Sequence, residues 1–260
     1  MLRTALTLLA AAGIAWAALC AWLFVSQRSQ IYFRTAESVA PGAAPLWLDS
    51  GGLRIKVWSV EPPGPRALVY FGGNAEDVAL SLPELRQVAL DRSLYLMNYR
   101  GYGGSAGRPT EAGLHADALA LFDLVRARHG QVALYGRSLG SAVAVRVAAE
   151  RDPERLVLVT PFDSFVSVGR APFPWVPVRW PLRDRSDAGS RAGGPRGPGP
   201  AVIAGADEII PRASAEALLA AFAPAQARAG VIAGASHNDV SVRSGYRGPI
   251  HRSLGAADGD

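Results

Sequence analysis

Ser138 stands between Gly136 and Gly140 in the run Gly136-Arg137-Ser138-Leu139-Gly140, where an apolar stretch, Val132 to Tyr135, gives way to an alanine- and valine-rich stretch, Ser141 to Ala149. A serine at a strand-to-helix switch takes a strained backbone conformation, and flanking glycines let the strand and helix approach without Cβ clashes. That geometry lifts the serine Oγ out of the sheet, where a nucleophile belongs. A serine hydroxyl is a weak nucleophile at neutral pH and needs a base within hydrogen-bond reach, itself oriented by a carboxylate.

The chain has four histidines. His115 and His129 fall in a predicted helix before Ser138 and His251 lies in the tail, so all three are expected at the surface. His237 remains, in the small-residue loop Gly234-Ala235-Ser236-His237-Asn238-Asp239 after the last predicted strand. Asp207, in Gly205-Ala206-Asp207-Glu208-Ile209-Ile210-Pro211, follows the preceding strand and lies 30 residues before His237. The chain order Ser138, Asp207, His237 is the one expected for the nucleophile-elbow architecture. Glu208 ranks second as the acid because it faces away from Asp207 if the local chain is extended. Asp163, in Thr160-Pro161-Phe162-Asp163-Ser164, ranks third, with capping of the next turn as its ordinary role. Asp239 is too close to His237 in sequence to orient it.

Attack on a carbonyl creates an oxyanion, which two fixed backbone N–H groups would stabilise. The Leu139 N–H is the expected first donor. The second would come from Asn74 or Ala75, in the loop that Gly72-Gly73 opens. The same glycine pair also makes an ordinary tight strand-to-helix turn.

These residues need a scaffold that brings loops separated by up to 163 positions to one edge. Two strands, Leu46 to Asp49 and Leu53 to Val60, flank Ser50-Gly51-Gly52, a hairpin signal and an antiparallel start. Alternation follows: strand Ala67 to Phe71, helix Val78 to Leu90, strand Ser93 to Asn98, helix Glu111 to Arg128, then the strand and helix around Ser138. Strand Leu156 to Thr160, strand Ala201 to Ala204, helix Ala213 to Ala223 and strand Ala227 to Ile232 complete it. Repeated strand-helix units give a mostly parallel sheet covered on both faces, with functional loops at the carboxyl ends of the strands.

No internal repeat interrupts this pattern. Gly189 to Pro200, rich in glycine and proline, is expected to form neither helix nor interior strand. Before it, Phe173, Trp175 and Trp180 among four prolines suggest a cap over the strand ends, so residues 164–200 form a cap and loop region within a domain of residues 29–260.

Residues 1–28 are set apart. Ala5 to Val25 is 21 residues without a charge, which as a helix spans about 31 Å, enough for a bilayer. Ala15-Trp16-Ala17 offers a cleavage-like site, but the apolar run continues eight residues beyond it, longer than a signal core of ~7 to 15 residues. An uncleaved anchor is therefore expected. Leu19 before Cys20 argues against a lipoprotein site, and Cys20, the only cysteine, leaves the folded domain without disulfides. Arg3 on one side and Arg28 and Arg34 on the other nearly balance, so membrane orientation stays open, an extracytoplasmic domain included.

Net charge is +5, yet Lys56 is the only lysine and no basic cluster with interleaved aromatics occurs, so no nucleic-acid partner is expected. The basicity suits contact with anionic lipid.

Gly-Gly-Asn-Ala-Glu-Asp at 72 to 77, Asn-Tyr-Arg-Gly-Tyr-Gly-Gly-Ser at 98 to 105, Gly-Arg-Ser-Leu-Gly at 136 to 140, Thr-Pro-Phe-Asp-Ser at 160 to 164, Asp-Glu at 207 to 208 and Ser-His-Asn-Asp at 236 to 239 together resemble the α/β-hydrolase superfamily, close to its membrane-anchored serine hydrolases, which include protein depalmitoylases. The resemblance covers roughly residues 20–245. It implies the α/β-hydrolase fold, Ser138 as nucleophile, Asp207 as acid, His237 as base, and no metal or organic cofactor. Two departures stand out: Gly72 replaces a histidine common in relatives, and the acid-bearing strand is entered from the glycine- and proline-rich run Ala192 to Pro200. The expected activity is hydrolysis of a lipid-like acyl ester or thioester. A peptidase or amidase on the same residues, and a non-catalytic membrane-anchored binding protein, are the alternatives.

Overall fold

The computed structural model describes residues 2–62, 64–89, 91–170, 182–193, 199–223 and 226–255. Helix α1 runs from Leu2 to Ile31. Two antiparallel strands follow, β1 (Ala44–Ser50) and β2 (Leu53–Val60), turning at Gly51-Gly52 with positive φ at both glycines. Then come β3 (Arg66–Phe71), α2 (Leu82–Val88), β4 (Ser93–Met97), α3 (Glu111–Arg128), β5 (Gln131–Arg137) and α4 (Leu139–Glu150). The remainder is β6 (Leu156–Val159), α5 (Phe165–Arg170), β7 (Gly199–Ala204), α6 (Arg212–Ala221), β8 (Ala227–Ile232) and α7 (Arg247–Gly255).

The eight strands form one sheet in the order β1-β2-β4-β3-β5-β6-β7-β8. Every pairing from β4 to β8 is parallel, and those of β2 with β1 and β4 are antiparallel. Alternation along the central strands divides the core. Ala67, Val69, Phe71 and Leu134 pack with Leu114, Leu121 and Val125 of α3, Val143 and Val147 of α4 and Leu218 of α6. Leu68, Tyr70, Ala133 and Tyr135 pack on the opposite face with Leu82 and Leu85 of α2 and Ile250 and Leu254 of α7. Both faces of β3 to β7 are thus removed from water, which is why β3 to β6 read as apolar runs, whereas β8, at the sheet edge, is largely exposed.

Three expectations need correction. Val78 to Leu90 is not one helix: a 3-10 turn, Val78–Ser81, precedes α2, whose first turn holds Pro83 and so needs no N–H there. Gly189 to Pro200 is not structureless either. Gly189–Arg191 is a 3-10 turn, and Gly199 and Pro200 begin β7, an interior strand. Proline is tolerated because β6 pairs with β7 only at Ala201 and Val202, so no ladder bond to β6 requires an N–H at position 200. His129 is buried, not at the surface: its Nδ1 meets the Gly64 carbonyl at 3.2 Å and its Nε2 the Tyr95 hydroxyl at 2.9 Å. His115 is half-buried and His251 is exposed.

Helix α1 is exposed along nearly all its length and is long and apolar enough to cross a membrane, with a mean hydropathy of 2.2 over its most apolar stretch. The aromatic and proline residues of the expected cap, Pro172 to Pro181, lie outside the described residues.

Candidate active site

Gly136 and Gly140 are dictated by packing. A Cβ on Gly136 would overlap the Gly140 carbonyl, and a Cβ on Gly140 would overlap the Phe71 carbonyl of β3. Only glycine lets α4 start this close to the sheet. Between them Ser138 adopts φ 50°, ψ −117°, a conformation that costs a residue with a Cβ about 1 to 3 kcal/mol. The surrounding ladder holds it there: its N–H donates to the Val159 carbonyl at 2.9 Å, and its carbonyl accepts from the Ser141 N–H at 2.8 Å and the Ser141 hydroxyl at 2.6 Å.

The loops after β7 and β8 meet this turn. Gly205 N–H donates to the Ile232 carbonyl and Ala206 N–H to the Ala235 carbonyl, binding the two loops together. His237, 4% exposed, then bridges them to β5. Its Nδ1 is 2.9 Å from Asp207 Oδ2 and 3.0 Å from Oδ1, and its Nε2 is 3.0 Å from Ser138 Oγ. A carboxylate only accepts, so Nδ1 carries the proton and Nε2 is left to accept from the Ser138 hydroxyl.

Burial alone would raise the pKa of Asp207. Hydrogen bonds from His237 and from the Ile210 and Ile209 amides outweigh it and hold the carboxyl below its ordinary value. The acid is thus ionised where an imidazolium would need it.

The other carboxylates play different parts. Glu208 does approach the histidine loop, accepting the His237 backbone N–H at 3.0 Å, so it braces the loop and leaves the imidazole to Asp207. Asp163 accepts from the hydroxyls of Ser167, at 2.6 Å, and Ser214, which ties α5 to α6. Asp239 accepts the Ser236 N–H at 2.7 Å and pairs with Arg243.

The loop after β3 lies against the serine: a Cβ built on Gly73 would sit 3.6 Å from Ser138 Cβ. Its amides are not equivalent. Gly73 N–H donates to Glu76 Oε2 at 2.6 Å, and Ala75 N–H to Asn74 Oδ1 at 3.1 Å. Among the described residues the Asn74 N–H has no partner. Nor does the Leu139 N–H, which as the first amide of α4 has no intrahelical carbonyl to meet.

Tyr99 and Tyr102 brace the same loop. Tyr99 donates to the Gly72 carbonyl at 2.8 Å and Tyr102 to Asn74 Oδ1 at 2.9 Å. Burial pushes both phenols up, so they stay protonated as donors.

The residues that sequence reasoning missed are Glu76 and Arg137. Glu76 accepts from Gly73 N–H, Tyr70 hydroxyl, Ser81 hydroxyl and Arg137 Nη1. Both belong to motifs already quoted, but nothing in their spacing of 61 positions announces a pair. No group of three or more metal-ligating side chains occurs among the described residues.

No protein-family model matches the chain. An uncharacterized protein of Mycobacterium tuberculosis is 34% identical over 258 residues, covering 93% of this chain and 91% of its own. The alpha/beta hydrolase domain-containing protein aho-3 of Caenorhabditis elegans is 30% identical over 186 residues, 69% of this chain and 54% of its own. The lysophosphatidylserine lipase ABHD12 of Gallus gallus is 34% identical over 158 residues, 54% of this chain and 41% of its own. The chain thus spans about half, or less, of these relatives named for a fold or an activity.

Among solved structures, the esterase Pf2001 of Pyrococcus furiosus matches with a TM-score of 0.66 at 13% identity, over 86% of this chain and 98% of its own. Est1E of Butyrivibrio proteoclasticus, solved with ferulic acid, matches with 0.61 at 15% identity, over 80% and 96%. At such identities these two share the fold. Sequence relatives that carry the fold's name and solved hydrolases built on the same fold agree, and the chain belongs to the α/β-hydrolase superfamily.

Proposed function

We propose that this chain is a serine hydrolase that cleaves an acyl ester or thioester through an acyl-Ser138 intermediate, held at a membrane by α1. The observation that carries the reading is the continuous hydrogen-bonded line from Ser138 Oγ through His237 to Asp207, at the carboxyl edge of the parallel sheet.

In this reading Ser138 Oγ attacks the acyl carbon as its proton passes to His237 Nε2. The resulting oxyanion takes hydrogen bonds from the Asn74 and Leu139 amides, each worth about 2.7 to 4 kcal/mol in a preorganised site. His237 then returns the proton to the departing alcohol or thiol, and the bond to the acyl carbon breaks. Water adds to the acyl-serine, giving a proton to His237, and collapse releases the carboxylic acid and restores the Ser138 hydroxyl. Asp207 stays ionised throughout and stabilises the imidazolium.

The substrate we propose is a lipid-like acyl group. An apolar α1 that ends beside the site supports it, as does the named activity of the avian relative. α1 in this reading is an uncleaved anchor, which intact mass and membrane fractionation test together; a chain shortened at Ala17 and free of membrane would overturn it.

A fluorophosphonate probe tests the chemistry. Labelling is expected on wild type and absent from Ser138→Ala; folded wild-type protein that stays unlabelled removes the hydrolase reading. p-Nitrophenyl esters of rising chain length then test the substrate, and preference for acetyl over longer chains counts against a lipid acyl group.

A further inference from the structure

The end of α1 is built into the loop that carries the proposed oxyanion donor. Ile31 is the last residue of α1, and its carbonyl, an orphan at a helix end, accepts from Asn74 Nδ2. Two residues on, the Phe33 N–H donates to Asn74 Oδ1 at 2.9 Å. One side-chain amide thus clasps the backbone on both sides of Tyr32, whose ring is buried.

The following residues keep to the same loop and its neighbour. The Thr35 carbonyl accepts the Gly103 N–H at 3.1 Å, and the Ser38 hydroxyl donates to Asp77 Oδ1 at 2.7 Å. Residues 31–38 therefore form a strap touching both Asn74 and Asp77, the two ends of the segment that contains the unpaired Asn74 amide. The end of α1 that leads into the strap is fixed as well. Arg28 pairs with Asp184 at 2.9 Å, and Gln27 Oε1 accepts the Arg183 N–H at 2.7 Å.

We infer that the strap leaving the anchor is a positioning element of the active site, and that the Asn74 side chain aims its own backbone N–H by holding Ile31 and Phe33. The inference rests on the hydrolase reading above. It makes the exit of the chain from α1 a determinant of turnover, even on a small water-soluble ester that needs no membrane to reach Ser138.

The test uses the full-length protein in detergent, with p-nitrophenyl acetate as substrate and rates normalised to fluorophosphonate-labelled sites. Asn74→Ala keeps the backbone N–H and removes the clasp. Phe33→Pro keeps Asn74 and removes one donor to it, because proline has no N–H. Each is expected to lower kcat per labelled site about 10-fold or more with KM within about 3-fold, since one oxyanion donor is worth about 100- to 1,000-fold. The double variant is expected to lose little more than the worse single one, as two changes to one contact are not additive.

A labelled, active wild type whose two variants keep kcat within 2-fold, or lose only KM or melting temperature, overturns the inference alone. A wild type that neither labels nor turns over overturns the hydrolase reading and this inference with it. Should Asn74→Ala fail to fold, Phe33→Pro decides by the same criteria.

Discussion

Arg137 and Glu76 form an ion pair at 3.1 Å directly behind the serine turn, with side chains 20% and 8% exposed. Arg137 precedes Ser138, and Glu76 holds the Gly73 N–H of the loop that faces it. From the same guanidinium, Nη2 reaches the His237 carbonyl at 3.5 Å and Asn238 Oδ1 at 3.4 Å. The pair therefore touches the loops after β3, β5 and β8 at once. Burial alone would lower the pKa of Arg137, and the charge and hydrogen bond of Glu76, with smaller help from Tyr70 and Tyr246, together more than offset it.

Removing Glu76 leaves a half-buried guanidinium and several donors without an acceptor. Breaking such a pair from one side costs about 3 to 5 kcal/mol, so Glu76→Ala is expected to lower the unfolding free energy by that order and to reduce ester turnover at least 10-fold. Glu76→Gln retains an acceptor but not the charge and should fall between. Chemical denaturation and kcat measured on one preparation check both, and wild-type values for Glu76→Ala would remove the bracing role.

Asp207 makes a prediction in two directions. Its folded pKa is depressed, so the stability it contributes is present above its unfolded value, about 3.9, and is lost as pH falls through the lower folded value. Asp207→Asn should therefore flatten the acid limb of the stability profile below about pH 4. At neutral pH it should cut kcat by about 10,000-fold, because an amide cannot stabilise the imidazolium or fix the tautomer. Activity within 10-fold of wild type would point instead to Glu208.

Gly140 offers a steric test with no titration in it. A Cβ there would overlap the Phe71 carbonyl of β3, a backbone atom that cannot rotate aside. Gly140→Ala is expected to cost about 3 kcal/mol and to shift α4, taking the Leu139 amide with it. Gly230, around which a Cβ meets nothing, is the control, and Gly230→Ala should leave the melting temperature nearly unchanged. Equal melting temperatures for the two variants would contradict the close approach of α4 to β3.

Which of these relationships could be read in the sequence follows from their range. The hairpin at Gly51-Gly52, α3, β8 and the strand-to-helix switch at Ser138 depend on neighbours within a few residues, and their apolar patterns were legible. Ser138, Asp207 and His237 could be brought together on paper because each follows a strand of a parallel sheet, and topology did the rest. Asn74 could be named from the sequence as a candidate donor, but its side-chain bonds to Phe33 and Ile31 could not, since those partners lie 41 and 43 residues away. Glu76 and Arg137 were invisible for the same reason. Pro200 misled because a rule about strand interiors does not apply where the neighbouring strand has not yet begun to pair. His129 lies beyond local pattern as well, because its ring is satisfied by the Tyr95 hydroxyl and the Gly64 carbonyl, 34 and 65 residues away.

His115, on α3, lies outside the proposed chemistry and titrates far from its ordinary range. Burial is the first cause and the positive charges of Arg146 and Arg191 add to it, against smaller opposition from Glu150 and Asp184; together they push its pKa down to about 4. An imidazole depressed in this way is neutral in the folded protein and charges readily in the unfolded one, near pH 6.5. Its contribution is therefore complete above pH 6.5 and is lost as pH falls towards about 4, over which it amounts to roughly 2 to 3 kcal/mol. His115→Gln removes the titration while keeping a polar side chain, so its stability should change less than that of wild type between about pH 6.5 and 4. Parallel denaturation curves for the two proteins across that range would show that His115 is solvated and that its guanidinium neighbours do not reach it.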